Sequence, residues 1–115
     1  MGRTLHYRTK QAATLGELIS VKGIEEKYNS SYRWKREGIK LWMAGASDPL
    51  PRGVIWGFTK VFDDEEGKLV LRAVKEMSKV TPRLTWLVYD EGGLTKGKEL
   101  MVERGVVIGA RPKEL

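Results

Sequence analysis

Aromatic and cationic side chains are interleaved in two places. The run Tyr32-Arg33-Trp34-Lys35-Arg36 is followed by Lys40 and Trp42, and Trp56-Gly57-Phe58 is followed by Lys60, with Arg52 in the turn between the two stretches. Indole and phenyl faces stack on planar groups, while guanidinium and ammonium groups neutralise phosphates. Gathered on one surface, such residues suit an unpaired strand of RNA or DNA, whose bases and phosphates are both accessible. The same residues have plainer uses. Cations along an edge strand deter pairing with another chain, and large rings fill cores.

Carboxylates collect at Asp63, Asp64, Glu65 and Glu66 and again at Asp90 and Glu91. Brought together they would bind a divalent cation or share a proton, the chemistry of a small metal-assisted enzyme. The first group also suits the start of a helix, and Asp90-Glu91-Gly92-Gly93 is ordinary turn chemistry. His6, the only histidine, has no partner recognisable in sequence and reads as structural. Gly92-Gly93-x-x-x-Gly97-Lys98 lacks the first part and the final hydroxyl of a phosphate-binding loop. The expectation is a non-enzymatic chain with no catalytic residue, no metal and no cofactor.

The positioning elements must fit within 115 residues, the length of one domain. The division expected is a core over 3–90 and a C-terminal extension over 94–111. With no cysteine there is no disulfide, thiolate zinc site or iron–sulfur cluster. No apolar run approaches the roughly 18 residues of a membrane helix, and the first ten residues lack the hydrophobic stretch of a signal peptide. A soluble, cytoplasmic protein without a membrane partner is expected. Gln11 and Asn29 are the only side-chain amides among many Lys and Glu, a composition seen in hyperthermophile proteins. The net charge of +6 is unevenly spread: eleven basic against five acidic side chains precede Asp63, and ten face ten from there on. A polyanion would therefore be drawn to the first half.

The alternation in Thr4 to Thr9 predicts a strand. Thr14 with Glu17 predicts a capping box and a helix that bends or breaks near Gly23. Tyr32 to Ala44 reads as a long strand with a bulge at Gly38, Asp48 to Gly53 as a turn, and Val54 to Phe62 as a central strand. Leu69, Val70, Ala73, Val74 and Met77 make the stripe of a second helix, stopped at Thr81-Pro82. Leu84 to Tyr89 is a fourth strand, Lys98 to Arg104 a short helix ended by Gly105, and Val106 to Ala110 a fifth strand.

This order matches a ferredoxin-like split βαβ arrangement, an antiparallel sheet of order 4-1-3-2 with two helices on one face. It would place Arg3 between the two acidic groups at one end of the sheet. Trp56-Gly57-Phe58 resembles the aromatic-Gly-Phe core of the RNP1 motif of RNA-recognition-motif proteins. The likeness covers three residues and departs at Val54, Ile55 and Val61, and Leu5-His6-Tyr7-Arg8 does not supply the companion motif, so the family is not assigned. The likeness implies bases stacked on the helix-free face. The expected function is nucleic-acid binding or regulation through Arg33, Trp34, Lys35, Arg36, Lys40, Arg52, Trp56, Phe58 and Lys60, with single-stranded RNA or DNA as partner. The alternative is an assembly module, a homodimer formed through a β-edge. The tail after Gly93 decides much of this. Laid across the sheet it buries Trp56 and Phe58 beneath Leu100, Met101, Val106 and Ile108; laid along an edge it leaves them open.

Overall fold

Local sequence chemistry sets the elements of the computed structural model, which describes residues 3–113. They are β1 (Arg3–Thr9), α1 (Leu15–Ser31), β2 (Trp42–Met43), β3 (Ile55–Val61), α2 (Asp64–Val80), β4 (Trp86–Asp90), β5 (Lys98–Glu103) and β6 (Val106–Pro112). Leu5, Tyr7 and Thr9 of β1 are buried, whereas Thr4, His6 and Arg8 are half-exposed on the opposite side. β3 alternates in the same way, burying Ile55, Gly57, Thr59 and Val61. This period of two gives the sheet one face toward the core and one away from it.

The sheet has six antiparallel strands in the order β2-β3-β1-β4-β5-β6. The expected ferredoxin-like sheet of four strands, with a short helix and a fifth strand appended, is overturned in strand count and order. Residues 98–103 form a strand rather than a helix and pair with β4. Arg104 and Gly105, with φ of 50° and 86°, turn the chain into β6. Two successive residues of positive φ match the type I′ turn, whose twist suits a two-residue hairpin.

Residues 32–44 are the second correction. Only Trp42 and Met43 pair with β3, opposite Trp56 and Ile55. Before them, residues 38–41 run between α1 and the sheet instead of along its edge. Asn29 brackets Ile39, its amide donating to the carbonyl and accepting from the N–H, both at 2.8 Å. The Leu41 N–H donates to Glu25 at 2.7 Å, and Lys22 Nζ donates to the Leu41 carbonyl at 2.9 Å. On the sheet side, the Lys40 N–H donates to Tyr7 Oη (3.1 Å), Tyr7 Oη lies 2.7 Å from Thr59 Oγ1, and Thr59 Oγ1 donates to the Gly38 carbonyl (3.1 Å). Side chains here satisfy backbone groups that a ladder would otherwise serve. Gly38 marks a close passage rather than a bulge, since a methyl group there would come within 2.8 Å of Asn29 Cγ.

Thr14 and Glu17 form the expected capping box, but α1 continues through Gly23 without a break. Asp63 caps α2 by accepting from the Glu66 N–H at 3.0 Å. The apolar stripe Val70, Ala73, Val74 and Met77 meets Leu5, Tyr7, Val61, Trp86, Val88 and Val102, with Val21 and Tyr28 of α1 completing the core. Each large side chain so buried contributes about 1.5–3 kcal/mol. Trp86 brings its polar edge inside satisfied, donating from Nε1 to Thr81 Oγ1 at 3.0 Å. Among the described residues no helix is long and apolar enough to cross a membrane.

Tyr7 makes the fold sensitive to alkali. Burial, the largest cause, pushes its phenol from the ordinary 10.0 up to about 12. A raised phenol pKa means that the fold holds the proton more tightly than the unfolded chain does. This contribution is fully present below pH 10 and is lost as pH rises from 10 to about 12, in total roughly 2–3 kcal/mol. The stability difference between the parent chain and Tyr7→Phe, measured by urea unfolding, should therefore shrink across that interval. A difference that does not change with pH would contradict the assignment.

Candidate functional site

The face away from the helices is built by side chains in rows across the strands. One row runs Trp42, Trp56, Arg8, Leu87 and Met101, each opposite the next by strand register. A second runs Phe58, His6 and Tyr89, and beyond it Lys60 lies opposite Thr4. The rings of Trp42 and Trp56 are 5.0 Å apart, and those of Trp42 and Phe58 5.7 Å. Trp56 and Phe58 lie 6.5 Å apart with nearly parallel planes. These are the separations of stabilising aromatic pairs. Trp42 is 42% exposed and Trp56 and Phe58 are half-buried.

Among the described residues the tail does not cover these rings. β5 and β6 extend the sheet beyond β4, on the side of β1 away from β2 and β3. Leu100 and Val102 pack toward the core instead. Sequence alone left both courses open, because apolar residues suit a covering layer as well as a half-buried strand.

Beside the aromatic set is a cleft of about 270 Å³, bounded by His6, Arg8, Leu50, Trp56, Leu87 and Tyr89, with Glu91, Glu99 and Lys113 also on its lining. Leu50 is carried there by the loop before β3. That loop is held by Asp48 Oδ2, which accepts from the Gly45 N–H at 2.6 Å, and by bonds between Ala44 and both Gly53 and Val54. The carboxylates of the cleft are engaged. Glu91 lies 3.0 Å from His6 Nε2, and the buried Glu99 accepts from Arg111 at 3.1 Å with Lys113 Nζ at 3.6 Å. Lys113 also lies over the Tyr89 ring, 5.3 Å from its centre.

The expected binding residues do not form one surface. Trp56, Phe58 and the exposed Lys60 come together on the helix-free face, and Arg52 is exposed in the turn before β3. Trp34 packs against the core and donates from Nε1 to the Tyr28 carbonyl at 3.3 Å. Arg33 and Lys35 line a hollow with Asp63, Glu65 and Glu66, and Lys35 Nζ lies 4.4 Å from the centre of the Phe62 ring. Arg36 is exposed in the same loop, and Lys40 pairs with Glu37 at 3.4 Å. From the first stretch Trp42 reaches this face, and the fold adds Arg8, His6 and Tyr89. The signal for Arg8 and Tyr89 was their place in the alternation of two central strands.

The acidic end is occupied by structural work. Asp63 caps α2, and Asp64 and Asp90 both accept from Arg3. Among the described residues no three potential ligands come together around a metal position. No family model matches the chain, and neither the curated proteins nor the solved structures provide a match.

Proposed function

We propose that this chain binds single-stranded nucleic acid, without reading sequence, on the helix-free face of its sheet. The observation that carries this is the uncovered set Trp42, Trp56 and Phe58, contiguous on that face with Trp42 the most open. Every base has a π face, so rings of this kind hold bases irrespective of identity. Arg8 and Lys60 flank the rings, and among the described residues neither has a carboxylate within 4 Å. The net charge of +6 adds a general attraction for a polyanion.

Fluorescence anisotropy with labelled oligothymidylate and oligouridylate at low salt tests this. Affinity should fall with salt at a logarithmic slope of about −0.7 per phosphate contacted. Trp42→Ala should weaken binding by about 1–3 kcal/mol, or roughly five- to 150-fold, in a variant that loses the two ring pairs but stays folded at the assay temperature. Failure to bind either oligonucleotide at low salt would sink the proposal.

A different observation favours a second reading, self-association through an edge. β6 is a free edge strand on which Val106, Val107 and Ile108 are 56%, 40% and 53% exposed. No charge guards the stretch 106–110, and an antiparallel strand is self-complementary about a two-fold axis. The pairing edge is then β6 rather than the two-residue β2, and the rings at the other side of the sheet stay free. Light scattering should give a dimer that Ile108→Lys converts to monomer; a parent chain monomeric at every concentration tested rules this reading out.

A further inference from the structure

Arg8 is a cation set in an apolar row. Trp56 lies opposite it on β3 and Leu87 opposite it on β4, and the residue is half-buried. A guanidinium stays charged at any pH at which proteins fold, and partial burial costs desolvation free energy that an anion normally offsets. The other arginines of partial burial have that anion: Arg3 has Asp64 and Asp90, and Arg111 has Glu99. Among the described residues Arg8 has no carboxylate within 4 Å.

A residue of the same cleft also carries an unpaired donor, held beneath the surface. Trp56 Nε1 is buried and finds no acceptor among the described residues. Indole N–H is a donor only, and burying it unpaired is unfavourable. The acceptors on the lining are already committed, Glu91 to His6, and Glu99 to Arg111 and Lys113. Among the described residues Arg8 is thus the unpaired cation of a lining whose carboxylates already face His6, Arg111 and Lys113, and the remaining walls, Leu50, Leu87 and Tyr89, are apolar or aromatic. Its volume of about 270 Å³ lies just under the roughly 300–1,000 Å³ of small-molecule sites, room for one unit rather than an extended ligand.

We infer that the cleft is a site for one nucleotide unit, with its phosphate on Arg8 and its base or sugar against Trp56, Leu50 and Tyr89. A nucleotide offers several acceptor oxygens on its phosphate and a planar, partly apolar base, which suits an unpaired guanidinium beside apolar and aromatic walls. The fork of the guanidinium engages two phosphate oxygens where an ammonium would engage one. The choice of nucleotide as ligand rests on the nucleic-acid reading above. The cleft with its unpaired arginine does not.

Three probes separate the possibilities: uridine 5′-monophosphate, uridine, and an oligouridylate. Binding is followed by the indole N–H resonance of Trp56 and by anisotropy. The monophosphate should shift that resonance saturably and bind about tenfold or more tighter than uridine. Arg8→Met should abolish that preference, and Arg8→Lys should restore part of it; the lysine variant also serves if the methionine variant does not fold. Equal binding of monophosphate and uridine, or monophosphate binding unchanged in Arg8→Met, overturns the site even where the oligouridylate still binds. Loss of oligouridylate binding with Arg8-dependent monophosphate binding retained would support the site as one for free nucleotide, and would refute only the nucleic-acid reading.

Discussion

Gly57→Ala is expected to destabilise the fold by about 4 kcal/mol or more, although it adds a single methyl group. The added carbon would overlap the Lys40 carbonyl oxygen and lie 2.7 Å from Tyr7 Cε1 and 3.0 Å from the Lys40 carbonyl carbon. Overpacking a core by a methylene typically costs about 1–3 kcal/mol, because side chains shift to make room. Here the obstacle is backbone that cannot easily shift. Residues 38–41 are held from above by Asn29, Glu25 and Lys22 and from below by Tyr7 and Thr59. Retreat breaks several of these bonds, at about 1 kcal/mol each and more where a buried group is left unpaired. Set against a total stability of about 5–15 kcal/mol, the loss is large. Urea unfolding of Gly57→Ala beside Gly23→Ala provides the comparison. Gly23 is an exposed helical position where an added methyl meets nothing within 4 Å, so alanine there should stabilise by up to about 1 kcal/mol. Equal stability of the two variants would refute the explanation.

The same geometry accounts for the glycine in Trp56-Gly57-Phe58. The rings point to the open face and the glycine to the helical one, where the crossing of residues 38–41 demands it. A three-residue likeness to an RNA-binding motif thus has a structural cause for its middle residue, and only Trp56 and Phe58 bear on binding.

What the sequence made legible was what neighbouring residues decide. The capping box at Thr14 and Glu17 and the stripe of α2 involve partners within one or two turns. The alternation of β1 depends on period alone, whereas for β3, apolar on both faces in sequence, only the fold shows that Trp56, Phe58 and Lys60 lie on the face opposite Ile55, Thr59 and Val61. Residues 32–44 imitate a strand by their aromatic-cation alternation, whereas the hydrogen bonds of 38–41 go to side chains distant in sequence, such as Tyr7 and Thr59. In 98–104 the helix-forming preference of Lys, Glu, Leu and Met was overridden by pairing with β4 and by the Arg104-Gly105 turn. Arg8 is hidden for a related reason: a cation on a strand reads as a solvated face until its neighbours across the sheet are known to be Trp56 and Leu87.

Arg3→Met should cost about 3–5 kcal/mol, the second large effect, because it strands a buried charge. The side chain of Asp90 is fully buried, whereas that of Asp64 is 66% exposed. Asp90 organises the turn after β4: it accepts from the Gly92 N–H at 2.7 Å and the Leu94 N–H at 2.9 Å, and its own N–H donates to Thr95 Oγ1 at 3.2 Å. Arg3 brings the only cation paired with it among the described residues. Gly92 makes room for that arginine, since a methyl group there would come within 2.6 Å of Arg3 Cδ. Methionine keeps most of the packing of the shaft and removes the charge, so the loss reports on Asp90 rather than on a void. Asp64→Asn should cost only about 0–1 kcal/mol, as for other exposed pairs. Asp90→Asn should itself destabilise, since an amide offers one acceptor oxygen where the turn and Arg3 use two. Hydrogen exchange at Gly92 and Leu94 should accelerate in Arg3→Met before global unfolding does. Arg3→Met within 1 kcal/mol of the parent, with those amides still protected, would mean that the two backbone donors alone suffice to hold the carboxylate. The arginine would then be only a surface partner of Asp64.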